Sequence, residues 1–263
     1  MIKHILILLM ALLISMQASM ASDFSLATTT STKSSGLLER LIPAFEADTG
    51  LKIKVYSVGT GKALRMGRKG EVDVLLVHAP TAERQFVKDG YGINRMPVMK
   101  NNFILLGPKS DPAKVARLTS VEKAFSQISQ TNSLFISRGD DSGTHKKEMS
   151  IWKACNIEPY GEWYFELGAS MGVSLAEANE KSAYVLVDRG TWLANRKSIA
   201  LELMVEGDAL LENHYSVITV NPANNKVNAK LAKEFSLWLT GTKGKKLINS
   251  MRVDGEKPFT ATH

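Results

Sequence analysis

The 263-residue sequence predicts an α/β fold of mostly parallel sheets flanked by helices. Two patterns carry that expectation. Apolar runs and amphipathic helical stretches alternate in β-α-β-α-β order, which right-handed crossovers fold into a parallel sheet. The run Val72-Asp73-Val74-Leu75-Leu76-Val77 is almost continuously apolar, as suits a strand covered on both faces. A third observation bears on organisation: no internal repeat, low-complexity stretch or Pro/Gly-rich linker interrupts the alternation.

In chain order, residues 24–29 read as a strand and 36–47 as a helix, with Leu37, Leu38, Leu41, Ile42 and Phe45 on one face. Pro43 lies inside that helix, where its ring and missing N–H favour a kink. A strand over 52–57, a short helix over 61–68 and the strand over 72–77 complete a first cycle. A second cycle places strands at 103–106, 134–136 and 183–187, with helices at 121–130, 144–155 and 188–195. Residues 215–220 form a strong strand ending in Asn221-Pro222, and helices over 228–239 and 244–251 close the chain. Two lobes without a linker require strands that cross between them. Residues 99–106 and 214–220 are the expected crossings, making lobe 1 discontinuous (22–100 and 215–263) around lobe 2 (101–214).

The first 21 residues set the expected compartment. Lys3 and His4 precede an apolar run over 5–14 that is too short to act as a spanning helix. Ser19-Met20-Ala21 then puts small residues at the −3 and −1 positions, the pattern of a secretory signal cleaved before Ser22. A soluble, secreted chain is the expectation. The formal charge of +7 comes from scattered Lys and Arg, without the basic runs that mark a nucleic-acid surface. Cys155 is the single cysteine, so no intrachain disulfide forms, and its apolar neighbours predict a buried, inert thiol.

Three turns rich in Gly, Ser and Thr each follow a strand and precede a helix. They are residues 28–36, residues 57–62 and Ser137-Arg138-Gly139-Asp140-Asp141-Ser142-Gly143-Thr144. In open α/β sheets ligands bind at the carboxyl ends of strands, where such turns lie. Helix starts offer free N–H groups and partial positive charge, and Ser and Thr add O–H donors. Any one of the turns is explained by helix capping. Three of them, with an arginine in the third, point to a cage for a small oxyanion. Asp140 and Asp141 would hold the Arg138 guanidinium or cap the following helix.

Other chemistries fit poorly. The segment Gly59-Thr60-Gly61-Lys62 lacks the remaining glycine of a dinucleotide fingerprint, and no phosphate-binding P-loop motif occurs. Ser142 sits one place late for a nucleophile elbow, so a hydrolase would need His145 or His78 as its base. The histidines His78, His145, His214 and His263 show no metal-ligand spacing, and each reads as a surface or packing residue.

The 137–148 turn and helix start, together with Ala27-Thr28-Thr29-Thr30-Ser31-Thr32, resembles the periplasmic tungstate-binding proteins of bacterial ABC transporters. Gly59-Thr60-Gly61-Lys62-Ala63-Leu64, Asp188-Arg189-Gly190-Thr191-Trp192 and residues 72–80 and 214–222 extend the resemblance over nearly the whole mature chain. It implies a two-lobed periplasmic-binding fold of the second type that closes on tungstate or molybdate and passes it to a membrane permease. By that resemblance the donors are Thr29, Thr30, Ser31 and Thr60 from one lobe. Arg138, Ser142, Gly143 and Thr144 complete the cage from the other. It further implies a monomer with no cofactor, no resident metal, no nucleic-acid partner and no catalytic residue.

The Arg-x-x-x-Ser-Gly-Thr pattern also resembles periplasmic phosphate-binding proteins, which place an aspartate after the third strand to accept the phosphate proton. Here Val77-His78-Ala79-Pro80 stands there instead. A donor-only cage favours a fully deprotonated dianion. An unmade buried hydrogen bond costs about 1–3 kcal/mol, giving about tenfold discrimination or better. Molybdate is the alternative ligand, and a hydrolase of phosphate or ester bonds is the alternative of another class.

Overall fold

The computed structural model describes residues 23–223 and 226–262; the expected signal segment lies outside them. The strands are β1 (Phe24–Thr29), β2 (Ile53–Val58), β3 (Val74–Val77), β4 (Gly92–Gly107) and β5 (Phe135–Ser137). They continue with β6 (Tyr164–Glu166), β7 (Tyr184–Asp188), β8 (Glu202–Val205), β9 (Glu212–Val220) and β10 (Thr260–Ala261). The helices are α1 (Thr30–Ser34), α2 (Leu38–Thr49), α3 (Thr60–Arg68), α4 (Pro80–Lys88) and α5 (Val121–Gln130). After them come α6 (Gly143–Ala154), α7 (Met171–Glu180), α8 (Arg189–Asn195), α9 (Ala229–Thr240) and α10 (Thr242–Ser250).

One sheet runs β2-β1-β3-β9-β4, with β10 also on β4; the other contains β7-β5-β6 and β8 beside the far end of β4. β4 belongs to both. Its residues 92–102 pair with β9, and Phe103–Leu106 pair with Val185–Asp188 of β7. Parallel pairing is confined to β2-β1-β3 and β7-β5-β6. The strand that leaves the first sheet and the strand that returns run in opposite directions, so β4 and β9 pair antiparallel. Each sheet is therefore mixed rather than mostly parallel.

Both faces of both sheets are covered. In β3, Val74 and Leu76 enter one core with Phe24, Phe45 and Phe235, while Leu75 and Val77 enter another with Leu64 and Phe86. Beyond the crossing, Phe103 and Leu105 pack with Phe125, Phe135 and Trp152, and Ile104 and Leu106 with Met171 and Leu175. The period-two alternation of a strand with both faces buried produces the continuous apolar runs.

The differences from expectation have local causes. Pro43 stays inside α2 without ending it. The first Ser/Thr turn coils into α1, capped by Thr29 Oγ1, which accepts from Thr32 N. The amino-terminal part of β4, the helix α7 and the short strands β6, β8 and β10 lack a strong period and form against neighbours, while the short amphipathic α4 starts at Pro80 and buries Phe86. Cys155 is half-buried at the C-cap of α6, and partial burial pushes its thiol pKa up.

Candidate oxyanion site

The three turns meet between the two sheets. β1 ends at Thr29, β2 at Val58 and β5 at Ser137, each followed within six residues by a helix start. Arg138 extends from the end of β5, is 2% exposed, and reaches across to α1. Its Nε donates to Ala169 O at 3.3 Å and its Nη2 to Thr30 Oγ1 at 3.3 Å. Nη2 also forms an ion pair with Asp140. Nη1 carries two N–H groups that none of these acceptors takes.

Ser31, Thr60 and Thr144 are fully buried. Their hydroxyl oxygens have no hydrogen-bond partner among the described residues. Buried polar atoms are normally paired, so orphaned hydroxyls at three separate turns mark a place for a ligand. Gly143 binds the turns together. A Cβ added there would sit 3.0 Å from Thr60 Oγ1 and 2.8 Å from His78 Cε1, so only glycine permits this approach. Thr29 and Ser142 are N-caps: Thr29 Oγ1 also shares a 2.8 Å hydrogen bond with Thr32, and Ser142 Oγ accepts from His145 N at 3.2 Å. The Ser142 O–H remains able to donate. All eight sequence-derived residues thus lie at one junction, with Thr29 in a supporting position.

The two aspartates have separate tasks. Asp140 pairs with Arg138 and accepts Ser142 N at 3.1 Å, fixing both charge and turn. Asp141 does not contact Arg138. Its carbonyl accepts Gly61 N at 3.2 Å, and its carboxylate pairs with Arg65 and Lys146, which hold its pKa low against partial burial. The Asp141–α3 contact and the Arg138–Thr30 bond both bridge the junction, so the junction is closed.

His78 is a packing residue, as its sequence context suggests, but one with a buried nitrogen left unpaired among the described residues. It is 3% exposed and stacks on Tyr215 with centroids 4.7 Å apart, but its Nε2 is buried without a partner beside Gly143. Nδ1 meets Asn213 Oδ1 at 2.8 Å. Burial and the neighbouring Arg138 push its pKa down to about 4, against the Asn213 hydrogen bond. Its position at the carboxyl end of an apolar strand was the sequence signal; Asn213, distant in sequence, gave none. Ser142 and His145 are not arranged as nucleophile and base. The Ser142 hydroxyl bonds His145 backbone N–H, and His145 Nδ1 accepts from Asp141 N. Among the described residues no group of His, Cys, Asp and Glu is placed to hold a metal ion, and no helix is long and apolar enough to cross a membrane.

The PBP superfamily domain model matches residues 17–243. The tungstate-binding protein TupA of Peptoclostridium acidaminophilum is 49% identical over 85% of this chain and 79% of its own length. The solved tungstate ABC transporter structure from Geobacter sulfurreducens is 42% identical with a TM-score of 0.79, covering 87% of this chain and 98% of its own. The tungstate-binding protein TupA from Desulfovibrio alaskensis G20 is 43% identical with a TM-score of 0.76, covering 92% and 99%. Likeness at this level extends over the strands, turns and crossings that build the junction, and the chain belongs to the PBP superfamily, within the family of ABC-transporter tungstate-binding proteins.

Proposed function

We propose that this chain captures tungstate as a periplasmic receptor and presents it to the permease of an ABC transporter. The observation that carries the reading is the convergence of Arg138 with the orphaned hydroxyls of Ser31, Thr60 and Thr144. Thr30, Ser31 and Thr60 supply the shell from residues 22–100 and 215–263, with Thr29 holding their turn as the cap of α1. Arg138, Ser142, Gly143 and Thr144 supply it from residues 101–214. Bending of the crossing strands β4 and β9 opens and closes the two parts, and the anion favours the closed form because only there do both sets of donors reach it. No bond is broken and no residue acts as a catalyst. The protein works as a monomer without a cofactor, exported by the segment ending near Ala21. The relatives' names support tungstate over molybdate.

Calorimetric titration with tungstate, molybdate, sulfate and phosphate tests this. Tungstate should bind most tightly, and Arg138→Ala should lose about a hundredfold or more, because it removes the cation and leaves the partly buried carboxylate of Asp140 unpaired beside the anion. Absence of tungstate binding, or full affinity in Arg138→Ala, overturns the reading.

A further inference from the structure

Building on the oxyanion reading above, we infer that capture of the dianion takes up one proton from solvent at Nε2 of His78. The imidazolium then donates to the anion while Nδ1–H stays on Asn213. The geometry begins with the asparagine. Asn213 Nδ2 donates to Asn101 Oδ1 at 2.7 Å and to Tyr215 Oη at 3.1 Å. That turns Asn213 Oδ1, an acceptor, towards His78 Nδ1 and keeps a proton there. A neutral ring so held presents a lone pair at Nε2, which repels an oxyanion carrying no proton. A second proton converts the same atom into a donor.

Charge balance favours that step. Asp140 already matches the charge of Arg138, so the pair alone offers a buried dianion no net positive charge. An added proton on His78 supplies one, at an atom whose neighbour Gly143 is stripped of any side chain that would shield it. Without the anion the ring is neutral at pH 7, since burial and the neighbouring Arg138 push its pKa down to about 4.

Several groups pack around the ring, and burial raises the carboxyl pKa of two of them, Glu83 and Asp188, which makes the comparison with a His78 variant necessary. Arg138, from the turn after β5, faces the ring as a positive charge. Tyr215 on β9 stacks on it, and burial pushes that phenol pKa up, so it stays neutral. Phe103 on β4 stacks at 6.0 Å, with Lys147 of α6 over its ring. Glu83 of α4 is taken by Arg95 and Ala79 N, and Asp188 at the end of β7 by Thr191. Thr60 of α3 and Gly143 of α6 bring no charge.

Linkage fixes the sign. Between the pKa of the free site and the higher one of the complex, each anion bound takes up about one proton, and affinity falls about tenfold per pH unit. The test is calorimetry of tungstate binding to the purified protein at pH 6–8, in buffers of differing ionisation enthalpy, for the parent and His78→Gln. Uptake in the parent that is lost in His78→Gln, whose amide still donates, is the expected result. Binding without uptake, or uptake undiminished in His78→Gln, overturns the inference and leaves the oxyanion reading standing. Absence of binding by any oxyanion sinks that reading instead. If His78→Gln fails to fold, the imidazole nitrogen shifts of the parent decide: an imidazolium at His78 in the complex supports the inference, and a neutral ring overturns it.

Discussion

Asp140 and Asp141 are neighbours in sequence with different work, and substitution separates them. Asp140→Ala frees Arg138 Nη2 and removes the acceptor of Ser142 N, so tungstate affinity should fall by about tenfold or more. Asp141→Ala removes ion pairs that are about half exposed, and its effect should stay within about 1 kcal/mol, near fivefold. Calorimetry on both variants checks the contrast; equal losses would mean the turn acts as one unit. Glu148, fully buried on α6 behind the site, accepts from Ser137 Oγ, Trp152 Nε1 and Tyr164 Oη. Desolvation nevertheless raises its pKa from 4.5 to about 7. Its protonated form is favoured by folding, so that stability is complete below pH 4.5 and is lost as pH rises through 7. The unfolding free energy of Glu148→Gln relative to the parent should therefore grow between pH 4.5 and 7, by up to about 3 kcal/mol, and then level off, as read from melting curves at each pH. A pH-independent difference would contradict the raised carboxyl.

At the scale of elements, α3 and the turn before α6 meet through Gly61. A Cβ there would lie 2.9 Å from the Asp141 backbone oxygen and collide with its carboxylate. The carboxylate can swing away, but the backbone of the facing turn must retreat. Gly61→Ala should thus weaken tungstate binding by about tenfold or more while leaving the anion-free melting temperature unchanged or higher, because alanine stabilises a helix relative to glycine by about 0.5–1 kcal/mol. Undiminished affinity would show that this contact is not part of closure. The helices α2, α3, α5 and α9 were legible because one apolar face repeats at helical spacing over nine or more residues, and α6 because Ser142 and the turn before it read as a helix start. The amino-terminal part of β4 was not. Its residues Asn94, Arg95, Pro97 and Lys100 break the alternation, and only pairing with β9 makes that stretch extended. Likewise Arg138, the three turns and their glycines could be picked out from composition alone, whereas Asn213 and Asn101 look like ordinary surface residues until β9 and β4 lay them beside His78.

For the whole molecule, the shared strand β4 couples the two sheets, so unfolding in calorimetry should be one cooperative transition. Saturating tungstate should raise its midpoint, with about 2.7 kcal/mol of stabilisation at a hundred times Kd. Two separate transitions would show that the halves fold independently. The sequence by itself determined the α/β class and the three donor-rich turns with their arginine. Those features are local: hydrophobic period, capping chemistry and turn residues act over a few positions. Tertiary structure alone decided that the junction is closed, that Asp140 rather than Asp141 holds Arg138, and that the Nε2 of His78 is buried beside Gly143 without a partner among the described residues. Each of these depends on groups tens to more than a hundred residues apart, such as His78 and Asn213, brought together by strand pairing that no local pattern encodes.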